Sequence, residues 1–423
     1  MSVRAVKLDV YRTAIPMRGF QHAAAKRELA EAVVVRLELA DGRQGWGETH
    51  PRAYVTGETL DGVVADLRNI VWPAIAGRDL RPGESAGPVG RLPTVLNRNA
   101  SGRCLNAAAC AVELAAADAL LDEADWAKLR QGAKEQSANY PPADAGGFTG
   151  GRPVQEAPAV RRGMLPNAAT RLPVRVSGVL GSADPARTAR QLLKMRLFGL
   201  RDFKLKLGFA NDVDRANLSA VCRKIGKAVA AGKCTLRVDV NGAWTDEQTP
   251  QRVVELKAAG VCAVEQPAFC SAAELAALAG RCELPLIADE SLLTMADAKA
   301  LLAAGPRVWW NIRISKNGGL ARSLALARLA AERGIPFVVG CMVGESGILS
   351  AAQRRLLEIA PRPRFLEGNY GRFLLRDDLT RPSLRFGYAG RLKTLRGTGL
   401  GMKVNLAKLA RLGQLIESLG PPL

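Results

Sequence analysis

The chain has 423 residues, 48% hydrophobic and 24% charged, which allows two domains and a large buried core. No apolar run is long and unbroken enough to cross a bilayer. The net charge is +20, but the basic residues are dispersed, aromatics are only 5% and no nucleic-acid motif is present, so no nucleic-acid partner is expected.

Met1 to Pro16 alternates apolar and charged residues and lacks the apolar block of a signal peptide, so a cytoplasmic protein is expected. The eight cysteines contain no Cys-x-x-Cys pair and are read as buried free thiols.

Residues 1–122 read as an α+β unit. Ala32 to Leu39 is a strand, Asp41-Gly42 a turn, and Gly45-Trp46-Gly47-Glu48 a returning strand. Helical spacing of apolar residues predicts helices near Leu60–Ile75 and Leu105–Leu121. Residues 123–172 carry Pro141-Pro142, Gly146-Gly147 and Gly150-Gly151 with little periodicity, and read as an insertion or linker.

From Pro173 short apolar runs alternate with alanine-rich helical segments. Strands are predicted at Val174–Val179, Phe203–Leu207, Thr235–Val240, Val261–Gln266, Leu284–Asp289, Val308–Ile314, Phe337–Val339 and near Phe365. Helices are predicted between them, as at Asp184–Phe198, Glu274–Arg281 and Leu320–Arg333. A repeat of roughly 25 to 30 residues is one βα unit, and eight of them predict a TIM-type barrel over 173–368. Residues 369–423 lose the repeat and are expected to return to the N-terminal unit.

Polar residues stand at the carboxyl ends of these strands, where a barrel places its site. Lys204 and Lys206 share one face of the second strand, because side chains alternate with period two. The next three strands end in Asp239-Val-Asn241, Glu265-Gln-Pro and Asp289-Glu290-Ser. One such carboxylate is explained by a helix cap. Three on adjacent strands repel one another unless a cation lies among them. All-oxygen donors without a nearby His or Cys point to Mg²⁺. The sixth strand leads into Lys316, so Lys206 and Lys316 flank the carboxylates from opposite sides. One lysine would remove a proton and the other return it, with Lys204 adding charge that favours a neutral base.

Lys-x-Lys, Asp-x-Asn, Glu-Gln-Pro, Ala-Asp-Glu-Ser and Ser-Lys-x-Gly-Gly, in this order, resemble the muconate lactonising enzyme subgroup of the enolase superfamily. Gly-Trp-Gly-Glu48, Tyr54 to Thr59 and Gly397 to Val404 resemble its cap and terminal segments. The resemblance implies a (β/α)7β barrel with an α+β cap, Asp239, Glu265 and Asp289 as metal ligands, and Lys206 and Lys316 as the acid/base pair with Lys204 auxiliary. It implies a small carboxylate substrate, with no membrane partner, and leaves a homo-oligomer open.

The chain has two histidines, His22 and His50, both in the N-terminal unit, which excludes a histidine base on the barrel. His22 lies in the Gly19–Ala24 segment that folds over the site in the family and is a candidate substrate contact, as are Asn241, Glu345 and Glu367. Cys341 to Ser346 resembles the seventh-strand segment of dipeptide epimerases. Where those enzymes carry Asp-x-Asp, this chain has Phe365-Leu366-Glu367 and keeps one carboxylate. Racemisation or epimerisation of an amino-acid derivative or dipeptide is the leading reading. A muconate-type cycloisomerase, an o-succinylbenzoate synthase-like dehydratase and a non-catalytic barrel binding protein are the alternatives.

Overall fold

A computed structural model describes residues 3–22, 25–83, 103–137, 140, 171–368 and 370–420. Strands β1 (Val3–His22) and β2 (Ala25–Leu39) form a long antiparallel hairpin, and β3 (Gln44–Thr49) returns along β2. A short β4 (Asp79–Leu80) pairs with the start of β1. The C-terminal strand Gly413–Leu419 lies antiparallel on the other side of β1, with Leu8 opposite Leu419.

Helices α1 (Ala53–Thr56), α2 (Leu60–Asp66) and α3 (Trp72–Ile75) follow, with a π turn at Leu67–Val71 joining the last two. Helix α4 (Asn106–Leu120) is buried on almost every side. Its alanines let it lie flat on β3, and a Cβ at Gly45 or Gly47 would collide with the carbonyl of Ala115 or Ala111. The two glycines of Gly-Trp-Gly-Glu are therefore a close-approach requirement.

Residues 123–137 differ from the sequence expectation of a non-periodic segment. They form helix α5 (Glu123–Ser137), which buries Trp126, Leu129 and Ala133. That stripe at i, i+3 and i+7 is short and was masked by the Pro/Gly-rich residues after it. Trp126 donates its indole N–H to Gly399 O at 2.7 Å, and the Arg355 guanidinium lies over its ring at 4.6 Å. The rest of the expected insertion, apart from Tyr140, lies outside the described residues up to Arg171.

Strand β5 (Arg171–Arg175) pairs antiparallel with Arg391–Lys393. Eight parallel strands then make one sheet in sequence order: β6 (Gly178–Leu180), β7 (Asp202–Lys206), β8 (Thr235–Asp239), β9 (Val264–Glu265), β10 (Leu286–Ala288), β11 (Val308–Ile312), β12 (Phe337–Val339) and β13 (Phe365–Leu366). The two edges meet just before β6, where Val176 bridges Leu366 and Ser177 N–H donates to Leu366 O at 2.8 Å. The expected strand Val174–Val179 is thus divided, its first half pairing with the C-terminal segment and its second half with the large sheet.

Between strands lie α6 (Pro185–Leu197), α7 (Asn211–Ala230), α8 (Thr249–Ala258), α9 (Ala272–Ala279), α10 (Met295–Leu301), the turn α11 (Ile314–Asn317), α12 (Leu320–Glu332) and α13 (Gly347–Ile359). Strands buried on both faces read as continuous apolar runs, and all five residues of β11 are buried. The curled sheet, with helices outside and the N-terminal unit over one end, fits a TIM-type barrel with a cap. All eight cysteines are free. Among the described residues no helix is long and apolar enough to cross a membrane.

Candidate active site

Register places the first three polar residues in a row. Lys206 stands opposite Asp239 across β7 and β8, and Asp239 stands opposite Glu265 across β8 and β9. Glu265 pairs with Ile287, and Asp289 stands two residues later, immediately past the carboxyl end of β10. Asp239, Glu265, Asp289 and Lys316 are all fully buried, and Lys204 and Lys206 nearly so.

Protein cations lie between the carboxylates. Lys204 Nζ is 3.2 Å from Asp239 Oδ2, 3.0 Å from Glu265 and 2.6 Å from Glu367 Oε2. Arg313 reaches Glu265 Oε1 at 3.3 Å and makes a close ion pair with Asp289. Lys206 donates to Asp239 Oδ2 at 2.6 Å and to Asn241 Oδ1 at 2.9 Å. Lys316 donates to Asp289 O at 2.6 Å, Asp289 Oδ1 at 3.0 Å and Asn311 O at 2.8 Å. Among the described residues no three carboxylates stand as a ready-made metal cage.

These neighbours set the ionisation states. Burial opposes the charge of Asp239, but Lys206, Lys204 and Arg313 outweigh it and hold the carboxyl well below the usual range. Asp289 is also lowered, burial again being outweighed by Arg313 and Lys316. Burial and the charge of Asp239 push Glu265 up to about 7. Burial disfavours the Lys204 ammonium, yet Glu265, Glu367 and Asp239 raise it above the ordinary lysine value. Lys316 is lowered, because its burial prevails over the attraction of Asp289.

The remaining candidates are distributed around this cluster. Asn241 has φ +51°, and its side chain spans Lys206 and Glu290, donating to Glu290 Oε1 at 3.4 Å. Burial and Asp289 push Glu290 up to about 8. Both oxygens of Glu367 are occupied, one by Lys204 and the other by Arg237 Nη1 at 2.8 Å. Glu345 is buried beside Met342, whose N–H it accepts at 2.7 Å, and burial pushes it up to about 8. His22 ends β1 opposite Ala25, and its side chain lies outside the described residues. A cleft of about 360 Å³ begins at Gly242, next to Asn241, and is walled by Trp244 and Phe269.

The sequence reading missed Arg313, Arg237 and Asn311. Arg237 and Asn311 are interior positions of β8 and β11, and Asn311 Nδ2 donates to Glu265 Oε1 at 2.8 Å. A polar residue inside an apolar strand was the available signal, as a buried charge is rare without a partner. Arg313 stands between Ile312 and Ile314, which gave a weaker one.

Glu48 of the cap also bears on the site. It is fully buried and accepts the N–H groups of Ser346 at 3.0 Å and Leu349 at 3.0 Å, the Ser346 hydroxyl at 2.8 Å and His50 Nε2 at 2.9 Å. A cap carboxylate thus holds the start of α13, next to Glu345.

The enolase C-terminal domain-like model matches residues 186–408. The L-Ala-D/L-Glu epimerase of Bacillus subtilis (strain 168) is 26% identical over 83% of this chain and 84% of that one. The muconate lactonizing enzyme from Pseudomonas fluorescens, solved with muconolactone, superposes with a TM-score of 0.75 at 23% identity over 98% of this chain and all of that one. The dipeptide epimerase of Enterococcus faecalis V583, solved with Mg and L-Leu-L-Tyr, gives 0.72 at 21% identity over 95% and 100% of the two chains. The chain belongs to the enolase C-terminal domain-like family and, within the enolase superfamily, to its isomerases, among which are epimerases, racemases and muconate lactonising enzymes.

Proposed function

We propose that the chain removes and returns a proton α to a carboxylate, most simply as a racemase or epimerase of an amino-acid derivative or dipeptide. The observation that carries this reading is the placement of two buried ammonium groups at opposite ends of one carboxylate row. Lys206 rises from β7 at one end, and Lys316 from the turn after β11 at the other. A substrate carbon held between them would present one face to each lysine, so one would take the proton and the other deliver it. Lys204, pinned by Glu367, is the auxiliary cation.

Asp239, Glu265 and Asp289 would hold Mg²⁺. Their donor set fits, since all the donors are oxygen, on neighbouring strands, and the buried oxygens Glu290 Oε2 and Asn311 Oδ1 have no partner. Magnesium bound there would supply positive charge next to the substrate carboxylate. In support, the E. faecalis epimerase was solved with Mg.

The cap is read as residues 1–122 with the 369–423 segment, and the barrel as 173–368. Its (β/α)7β form is supported by a helix after each of β6 to β12, whereas among the described residues only the 3-10 turn Tyr370–Arg372 lies between β13 and the next strand, Thr380–Arg381.

The state of Glu367 favours a particular substrate class. With both oxygens engaged by Lys204 and Arg237, it has no free oxygen for a substrate ammonium. An N-acylated amino acid suits this site better than a dipeptide with a free amine. The same feature keeps open the second reading, a muconate-type cycloisomerase acting on a diacid, which the likeness to muconate lactonizing enzyme supports. Incubating the Mg²⁺-loaded protein in D₂O with N-acyl amino acids, dipeptides such as Ala-Glu, and cis,cis-muconate tests the reading. Deuterium entering both hands of an amino-acid probe is expected. Lactone formation from muconate without such exchange would replace it by the second reading.

A further inference from the structure

Lys206 and Lys316 are held in different ways. Lys206 belongs to the ladder between β7 and β8, and the barrel alone fixes its backbone. Lys316 belongs to no ladder. It sits in the single turn α11, followed by Gly318 and Gly319, whose φ values are +85° and +110°. Such a segment has few backbone hydrogen bonds of its own to define it.

Its hydrogen bonds come from two sides: Asn317 ties the turn to the barrel, accepting the Arg313 N–H at 2.8 Å and donating to Leu292 O at 2.9 Å, and the cap supplies the rest. Asn106, the first residue of α4, donates from Nδ2 to Lys316 O at 2.7 Å and to Leu293 O at 3.0 Å. Its Oδ1 accepts Arg322 Nη1 at 3.0 Å. Ser315 Oγ meets Thr49 Oγ1 and accepts the His50 N–H, both at 2.9 Å. About two turns further along α4, Glu113 accepts the N–H of Ala321 at 2.8 Å. Among these contacts, only that of Asn106 touches Lys316 itself.

We infer that Asn106 is a positioning residue for Lys316, so that docking of the cap helix α4 sets the aim of one of the two lysines and leaves the other untouched. Its amide clamps the lysine's own carbonyl, and with it the direction in which the side chain leaves the turn toward Asp289. Replacing it leaves the Lys316 and Leu293 carbonyls without that donor in a buried place. The inference rests on the two-lysine reading above and adds an asymmetry: a defect in the cap at this point damages proton transfer on one face of the substrate only.

The test is α-proton exchange in D₂O, followed by NMR, on the separate enantiomers of an N-acetyl amino acid and on L-Ala-L-Glu and L-Ala-D-Glu. Lys316→Ala identifies the hand that Lys316 serves. Asn106→Ala and the isosteric Asn106→Asp, which keeps an acceptor for Arg322 but loses the donor, are then compared with wild type. Exchange from the Lys316 hand should fall by about tenfold or more, as sub-ångström misplacement of a catalytic group does, while the other hand stays within about twofold. Glu113→Gln, which alters the same helix without touching Lys316, should leave the ratio of the two rates unchanged. Equal slowing of both hands, or no change in either Asn106 variant, overturns the inference and leaves the two-lysine reading standing. If Asn106→Ala does not fold, Asn106→Asp alone decides between these outcomes, and Asn106→Ser, which restores a short donor, should recover part of the lost rate. Failure of the wild type to exchange either hand of every probe overturns the two-lysine reading, and this inference with it.

Discussion

Lys206 and Asp239 face each other across the ladder between β7 and β8, and the ammonium reaches the carboxylate at 2.6 Å. The lysine proposed to transfer the proton thus sits against a proposed metal ligand, in a position set by backbone hydrogen bonds. Lys316 stands in the same relation to Asp289 at 3.0 Å, but on a turn.

If each lysine serves one face, Lys206→Ala and Lys316→Ala should each abolish α-proton exchange from a different enantiomer. A positioned general base contributes about 10²- to 10⁴-fold, so losses of that size are expected on one hand only. Interconversion of the two hands should fail in both variants. Loss of both hands in one variant, with little effect of the other, would indicate a one-base reaction such as cycloisomerisation.

Removal of one carboxylate from the row should be felt first by the metal. Asp239→Asn is expected to weaken Mg²⁺ binding, measured by titration calorimetry, by more than the roughly 10- to 100-fold typical of residues one shell further out. The wild type should lose activity in EDTA and regain it with Mg²⁺. Unchanged affinity in Asp239→Asn would remove Asp239 from the ligand set.

Glu113 makes the stability of the cap pH-dependent. It is nearly fully buried, and burial pushes its carboxyl up to about 7, against the hydrogen bond from Ala321. The unfolded carboxyl titrates near 4.5. Between those pH values the folded chain keeps a proton that the unfolded chain has lost, so stability from this group falls as pH rises and is level above about 7. The full span corresponds to about 3 kcal/mol. Glu113→Gln keeps an acceptor for Ala321 and carries no charge. In urea denaturation it should be more stable than wild type at pH 8, with the difference vanishing near pH 4.5. An equal difference at both pH values would refute the assignment.

The Pro/Gly-rich residues 141–170 are proposed to be an insertion that the barrel does not need. Replacing them by a short Gly/Ser linker should leave one cooperative unfolding transition and unchanged Mg²⁺ affinity. A broadened transition in the deletion variant would show that the segment is part of the core.

Much of the barrel was legible because it rests on local periodicity. Phe203–Leu207 and Thr235–Val240 alternate with period two, so the faces of Lys204, Lys206 and Asp239 followed from sequence spacing, and the parallel register then lined up Lys206, Asp239 and Glu265. The helices at Asp184–Phe198 and Leu320–Arg333 were found within one residue at each end, with Asp184 in the capping position. Helix α5 was not seen, because its three buried residues, Trp126, Leu129 and Ala133, acquire meaning only through the surface they cover, including Gly399.

What the sequence determined by itself was the order and type of the strand-end residues, and hence the chemistry available at the barrel mouth. Only the tertiary structure decided how those residues are engaged. Glu367 is committed to Lys204 and Arg237, Arg313 lies across Glu265 and Asp289, and Asn106 holds the carbonyl of Lys316 from 210 positions away. Side-chain direction repeats over two or four residues and can be read along one strand or helix. A hydrogen bond between segments depends on how whole layers dock, and no local pattern encodes it.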